Sequence, residues 1–412
     1  MTQPEGAAVL EPDPPRARTS FLTQPGMASA GRQLRPSSKV LPEHARAHNR
    51  ALVLQTLFSA GQQSRADVAR STGLTRVTVS ELVTELMAEG LLVETGLREG
   101  PRPGKPAILL DFDRSSFQVI GIDLSDFAVF RGAVLDLGGA ILKRVELPLA
   151  GSTGQSALDH AATLTERLIS LVSAPLLGIG VGSPGVVNID GVVVSAPNLE
   201  WVGVPLQAVL SDRFGVPVVV ANDANAAVLA QHSFDDATGD LMLVRIGRGV
   251  GAGLLLGGSP VYGSRFAAGE IGHVVVGTDG GELCSCGKRG CLETWIAVPH
   301  LESKLADAAQ GPERDSILRE AGARLGIALA PIVGALDLGE VVLSGPAGLL
   351  AGALVESALE TIRSRTMARL PGGTAPGGIA PGGFALRLTT LGDDIVMRGA
   401  AVMVISARLG VS

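Results

Sequence analysis

All three cysteines of the chain lie in one short run, Cys284-Ser-Cys286-Gly-Lys-Arg-Gly-Cys291, and His273 stands a few residues upstream. Three soft thiolates and one imidazole make a closed tetrahedral set for zinc. Gly287 and Gly290 give the backbone the freedom to wrap a small ion. The competing reading is three reduced cysteines packed as small apolar residues, which this spacing disfavours. A catalytic zinc needs an open coordination position, and four protein ligands leave none. The expectation is therefore one structural Zn²⁺ on His273, Cys284, Cys286 and Cys291. Two carboxylates flank the set, Glu270 in Glu270-Ile-Gly-His273 and Glu293 just after Cys291. Further upstream, Asn222-Asp223 follows an apolar run and precedes a helical one, the position of a helix N-cap.

The elements that would carry these residues follow from composition and period. With 412 residues the chain is long enough for two or three domains. Apolar residues make up 46% and aromatics 3%, so a large core must be built from Val, Leu, Ile and Ala. Residues 1–106 carry 13 basic against 10 acidic side chains, and the remainder 21 against 30. That asymmetry points to nucleic acid at the N-terminal end. The clustered cysteines exclude a disulfide framework and suit a reducing, cytoplasmic setting. No apolar run is long enough for a transmembrane helix, and the opening residues lack the apolar stretch of a signal peptide.

Residues 1–42 have no hydrophobic period and read as a disordered tail. Residues 43–106 read as a helical DNA-binding domain, and Gly-punctuated strands alternating with helices follow, an α/β pattern. Strands are expected at Gln118–Asp123, Val129–Asp136 and Ala140–Leu147, joined as an antiparallel meander, then at Leu176–Gly182, Val216–Ala221, Asp240–Ile246, Val250–Leu256 and Glu340–Ser344. Helices are expected at Ala157–Ser173, Ala224–Ser233, Leu292–Ala309, Ile317–Ala335, Gly348–Arg369 and Asp394–Leu409. The Pro-Gly-Gly-x-Ala repeats between Pro371 and Ala385 read as a surface loop.

Near the N-terminus, Ser64-Arg-Ala-Asp67 is a capping box that opens a short helix ending at Gly73. Thr75 caps the next helix, in which Val79, Leu82, Val83 and Leu86 share one face. Two short helices about a glycine-containing turn make a helix-turn-helix, and Leu91–Val93 with Gly96–Lys105 would add a hairpin wing. The candidate DNA contacts are Arg65, Arg76, Thr78 and Ser80, with Arg102 and Lys105 in a proline-stiffened wing suited to phosphates or a minor groove. A helical hairpin used for dimerisation is the blander alternative.

These stretches resemble the ROK family (repressors, open reading frames and kinases) over about residues 43–409. The resemblance rests on Glu-x-Gly-His followed by Cys-x-Cys-Gly-x-x-Gly-Cys-x-Glu, on the Ser64–Ser80 segment with Pro101-Arg-Pro-Gly104 after it, and on Pro197-Asn-Leu-Glu-Trp201 and Asn222-Asp-Ala-Asn-Ala226. It implies a winged helix-turn-helix (43–106) followed by a two-lobed actin-like, ribonuclease-H-like sugar-kinase domain. The first lobe would span 107–235 and 385–412, and the second, with the zinc loop, 236–384. It also implies that Asn198, Asn222, Asp223, Glu270, His273 and Glu293 contact a sugar, His273 doing so besides binding zinc. Ionised carboxylates suit paired sugar hydroxyls, since they accept in pairs. In the family's kinases the residue at the place of Asp223 is the general base.

The nucleotide half departs from the kinase pattern. Where those kinases carry Asp-x-Gly-Gly-Thr, this chain reads Asp123-Leu-Ser-Asp-Phe127, losing a flexible pair and a hydroxyl and gaining a carboxylate. The second loop, Gly247-Arg-Gly-Val-Gly-Ala-Gly253, keeps its glycines but carries Arg248, and the third, Ser344-Gly345-Pro346, lacks the usual glycine pair. The reading is a sugar-responsive DNA-binding regulator, a repressor of carbohydrate genes. It would bind sugar without turnover and act as a homodimer or homotetramer on inverted-repeat operators, with no membrane partner. The alternatives are an ATP-dependent sugar kinase carrying a DNA-binding domain, and a scaffold that binds no sugar.

Overall fold

In a computed structural model the described residues are 42–98, 106–235, 237–277, 280–306, 308, 311–367 and 384–411. The expected tail, the wing residues Arg102 and Lys105, and most of the Pro-Gly-Gly-x-Ala loop lie outside them. Contacts divide the chain into residues 1–50 and 51–412. The described part of the first unit forms the opening turns of α1 (Pro42–Ala60).

The rest of α1 leads into β1 (Gln63–Ser64), α2 (Arg65–Thr72), α3 (Arg76–Ala88), β2 (Leu92–Leu97) and β3 (Ile108–Phe112). Both caps form as expected. The Asp67 amide donates to Ser64 Oγ at 3.3 Å, and the Ser64 amide donates back to Asp67 Oδ2 at 3.1 Å. Gly73 ends α2 in the left-handed region, and Thr75 Oγ1 accepts the Thr78 amide at 3.2 Å. Val79, Leu82, Val83 and Leu86 are buried. The hairpin strands β2 and β3 pair antiparallel, and β3 also pairs with β1.

The first lobe holds the meander β4 (Gln118–Asp123), β5 (Val129–Asp136) and β6 (Ile141–Pro148), then α4 (Gly154–Ile169) and β7 (Leu176–Ser183). A small sheet that the sequence reading did not anticipate follows, with β8 (Val186–Val187), β9 (Val193–Ala196) and β10 (Trp201–Val204). Next come α5 (Leu206–Phe214), also unanticipated, β11 (Val218–Asn222) and α6 (Asp223–Phe234). The lobe's main sheet has the order β11-β7-β4-β5-β6.

The second lobe contains β12 (Leu241–Ile246), β13 (Val250–Leu256), β14 (Ser259–Pro260), α7 (Glu293–Ile296), α8 (Val298–Ala306), α9 (Pro312–Leu336), β15 (Glu340–Ser344), α10 (Ala347–Leu350), α11 (Ala353–Arg365) and β16 (Ala385–Leu388). Its sheet runs β14-β13-β12-β15-β16. Two expected helices are broken. Leu292–Ala309 becomes α7 and α8, because Ala297 turns extended just before Pro299 enters the next helix. Gly348–Arg369 becomes α10 and α11, separated at Gly352, whose φ is +74°. The lobe boundary also shifts. β16 pairs parallel with β15, so residues 385–388 belong to the second lobe's sheet rather than to the first lobe.

The last helix, α12 (Ile395–Leu409), returns to the first lobe as expected and packs on α6, β4 and β7. Glycines make this approach possible. A Cβ on Gly180 in β7 would lie 1.9 Å from the Ala400 carbonyl oxygen, and one on Gly399 would lie 1.8 Å from that of Ala226 in α6. One apolar cluster then runs from Val53 and Leu57 in α1 and Val79 and Leu82 in α3 to Met397, Val404, Ile405 and Leu409 in α12. Arg114 adds a polar tie by donating to the Phe58 carbonyl at 3.2 Å. The N-terminal helices and the first lobe therefore share a core, rather than meeting through a bare linker.

Candidate functional site

The metal loop is brought together as expected. The ligand atoms of His273, Cys284, Cys286 and Cys291 all lie within 4.8 Å of one another. Cys286 Sγ and Cys291 Sγ are 3.6 Å apart, and His273 Nδ1 is 3.5 Å from Cys284 Sγ. Ligands about 2.0–2.3 Å from a tetrahedral zinc stand about 3.5–3.8 Å from one another, and these two separations fall in that range. A disulfide at about 2.05 Å is excluded. Burial and the neighbouring thiols push Cys291 up to about 12, whereas the Lys288 backbone amide draws Cys286 down. A divalent cation is the group that would keep such crowded thiols ionised together. The loop is held locally by the Cys284 amide donating to the Lys288 carbonyl at 2.8 Å, with Gly287 and Gly290 both at positive φ.

The carboxylates converge beside this loop. Glu270 immediately precedes the 3₁₀ turn Ile271–His273, and Glu293 opens α7. Burial raises the Glu270 carboxyl, His273 opposes the shift, and Asp223 and Glu293 add to it. Burial also raises Asp223, with Arg245 opposing and Asp123 adding. Asp223, His273 and Glu293 are thus the charged groups that act on Glu270.

Two expected ligand contacts have structural partners of their own. Asn222 caps α6, its Oδ1 accepting the Ala224 and Asn225 amides at 2.9 and 3.1 Å, and its Nδ2 donates to the Gly185 carbonyl at 2.8 Å. Glu293 Oε2 accepts the Val250 amide at 3.1 Å, tying the metal loop to the second glycine-rich loop and leaving Oε1 3.7 Å from Cys284 Sγ. Asn198 stands exposed on the 3₁₀ turn Pro197–Leu199, with no hydrogen bond to Asp223 or Glu270 among the described residues.

The first loop, which departs from the kinase pattern, is occupied by contacts of its own. Asp123 is buried, and its Oδ1 accepts both the amide and the hydroxyl of Ser125, at 2.9 and 2.6 Å. Asp126, expected to repel phosphates, is paired with Arg131 at 3.0 Å, which offsets much of its charge. Arg248 rests over the Phe127 ring, 5.8 Å from its centroid. Gly345 and Pro346 border a cavity of about 330 Å³.

Sequence reasoning missed Arg245. Its Nη1 donates to Ser125 Oγ at 3.1 Å and forms an ion pair with Asp223. The signal was present, because one arginine interrupts the apolar strand Leu241–Ile246, and a charge in such a strand needs a partner. Of the candidate DNA contacts, Arg76 and Ser80 are exposed and Thr78 is half-buried. Arg65 pairs with Glu94 at 3.2 Å, so it serves the packing of β2 on α2. Val77, 68% exposed beside Arg76, was not anticipated.

Comparison with known proteins accounts for this architecture. The chain matches the ROK family over residues 119–407. It is 28% identical over 397 residues to the xylose repressor of Caldicellulosiruptor bescii, covering 88% of this chain and 96% of that protein. It is 30% identical over 268 residues to the N-acetylglucosamine repressor of Escherichia coli O6:H1, covering 62% and 64%. A crystal structure of a ROK family transcriptional regulator, a homologue of the E. coli MLC protein, superposes with a TM-score of 0.75 at 22% identity, covering 89% of this chain and 98% of the other. The chain belongs to the ROK family.

Proposed function

We propose that this chain is a sugar-responsive DNA-binding transcriptional regulator, a repressor of carbohydrate genes, that holds its sugar in the kinase-like cleft without phosphorylating it. The observation that carries the reading is α12. One side of it packs on α6, whose first residue is Asp223, and its C-terminal half lies in the same core as the helix-turn-helix. A sugar that draws on Asp223 acts on a helix in contact with the element that supports the DNA-binding fold. The names of the two relatives, repressors tied to xylose and to N-acetylglucosamine, support the same reading.

Asp223, Glu270, Glu293 and His273 would hold the sugar, with Asn198 at the rim and Asn222 acting through the cap of α6. A structural Zn²⁺ on His273, Cys284, Cys286 and Cys291 would fix Glu270 and Glu293 on either side of the cleft. Arg76, Thr78, Ser80, Arg102 and Lys105 would meet an inverted-repeat operator, read by a homodimer or homotetramer.

The test is a gel shift of the full-length protein on operator DNA selected from a random pool, with a panel of aldoses and amino sugars. Thermal shifts with and without Mg-ATP run alongside. A sugar that changes DNA affinity and raises the melting temperature without ADP release supports the reading. Sugar-dependent ADP release at about 1–100 s⁻¹ that disappears in Asp223→Ala replaces it with a kinase that also binds DNA.

A further inference from the structure

We propose that Arg245 is a tethered counterion that sets what the cleft accepts: a sugar with a free hydroxyl facing Asp223, and not the phosphate ester of that sugar. The proposal rests on the sugar-binding reading above. Arg245 is the one charged residue of β12, between Val244 and Ile246. A guanidinium there is tolerated only where it is paired and hydrogen-bonded, and both conditions are met in the cleft. It forms an ion pair with Asp223, and its Nη1 donates to Ser125 Oγ at 3.1 Å. Ser125 in turn donates to Asp123 Oδ1 at 2.6 Å. The series Asp123–Ser125–Arg245–Asp223 thus runs from the end of β4 in the first lobe, through a strand of the second, to the first residue of α6.

Charge decides what else can enter. Asp123 and Asp223 stand at the two ends of the contacts that Arg245 and Ser125 make. Arg245 is already engaged by two acceptors, and Arg248 rests on Phe127. A phosphate ester brings a charge of about −1.5 to −2 at neutral pH beside the Asp223 carboxylate, and would have to compete with it for the Arg245 guanidinium. A sugar hydroxyl meets no such barrier, since it can donate to the Asp223 carboxylate and accept from the Arg245 guanidinium. The same pairing keeps Asp223 from standing alone as a base. That obstacle to phosphoryl transfer is separate from the altered first loop, and it explains why Ser125 rather than glycine serves there: its hydroxyl is a partner of the arginine.

The experiment is calorimetric titration of the full-length, zinc-loaded protein with matched pairs: xylose and xylose 5-phosphate, glucose and glucose 6-phosphate, N-acetylglucosamine and its 6-phosphate. The parent sugar of at least one pair should bind, with its ester at least tenfold weaker. Arg245→Met keeps the stem and removes the charge, leaving Asp223 uncompensated. The preference for 6-amino-6-deoxyglucose over glucose should then rise at least fivefold, while Arg245→Lys keeps the wild-type ratio. A merely structural arginine would not change that ratio selectively. An ester that binds as tightly as its parent, or an unchanged ratio in folded Arg245→Met, overturns the proposal. If Arg245→Met does not fold, the matched pairs on the wild type and on Arg245→Lys decide alone. Preference for an ester leaves the sugar-binding reading standing and removes only the proposal, whereas binding of no member of any pair removes both.

Discussion

Replacing Gly399 by alanine puts the crossing of α12 and α6 to the test. The new Cβ would sit 1.8 Å from the Ala226 carbonyl oxygen, 2.3 Å from its carbonyl carbon and 3.1 Å from its Cα. Relief of that clash needs a shift of more than 1 Å, and the three nearest atoms are all backbone of Ala226 in a buried helix, so no side chain can swing aside. Overpacking of this kind costs about 1–3 kcal/mol, and contact with a helix backbone places Gly399→Ala at the upper end. Gly348→Ala is the matched control. A Cβ there meets nothing within 4 Å, and the position lies in α10, so the change should be neutral or stabilise by up to about 1 kcal/mol. Urea unfolding followed by tryptophan fluorescence reads both, because buried Trp201 reports the first lobe and Trp295 the second. The midpoint converts to free energy through the denaturant slope. The displaced α6 also carries Asp223, so the sugar-induced change in DNA affinity should shrink in Gly399→Ala while DNA affinity without sugar changes less. A variant within about 0.5 kcal/mol of the parent with an unaltered sugar response would refute the argument that this crossing links the two sites.

Cys286→Ser should lose bound zinc and the sugar-induced thermal shift together, and elemental analysis of chelator-free protein showing no zinc in the parent would remove the metal assignment. Arg98, and after it the Ser64 hydroxyl, hold the Asp67 carboxyl well below the usual carboxylate range. Its contribution is complete above about pH 4 and is lost as pH falls from there. The parent should therefore lose stability on acidification more steeply than Asp67→Asn, as read by unfolding midpoints at several pH values. Arg76→Ala should cost about 1–3 kcal/mol on specific DNA if the side chain reads a guanine edge, and equal loss on random DNA would assign it to the backbone. Lys105→Ala should weaken all sequences and lower the salt slope by about one unit.

The sequence was most legible where a residue type leaves the backbone few choices. Ser64, Asp67, Gly73 and Thr75 marked their helix ends, and Gln118–Asp123, Val129–Asp136, Val250–Leu256 and Glu340–Ser344 coincide with observed strands. The Cys₃His cage was equally readable, since its ligands lie within one short stretch. Legibility failed where tertiary pairing decides. The strands β8, β9 and β10 are two to four residues long and carry too little period to register. The reach of Arg245 to Asp223 and to Ser125 joins residues 22 and 120 positions apart, which no local pattern encodes. Asn222 and Glu293 were placed in the cleft by resemblance, but only the structure shows that backbone amides already occupy part of their hydrogen-bonding capacity.

The two ends of α6 explain how one cleft could govern DNA binding. At its start Asp223 meets Arg245 of the second lobe, and at its far end Asp235 pairs with Arg387 of β16 at 2.7 Å. Between them the helix packs on α12 and on β12 and β13, so it touches both lobes along its length. A sugar shifts a conformational equilibrium only by the difference between its affinities for the two arrangements. A tenfold change in operator affinity requires about 1.4 kcal/mol of such coupling. Partial replacement of the Arg245–Asp223 contact by a sugar hydroxyl is of that order, since hydrogen bonds to charged groups contribute about 1.5–3 kcal/mol each. The Arg387–Asp235 end, engaged by Thr390 as well, lies outside the proposed sugar site and can act as the fixed end. Motion would then concentrate at Asp223 and pass through the glycine-lined crossing into α12, whose last turns lie in the core of the DNA-binding fold.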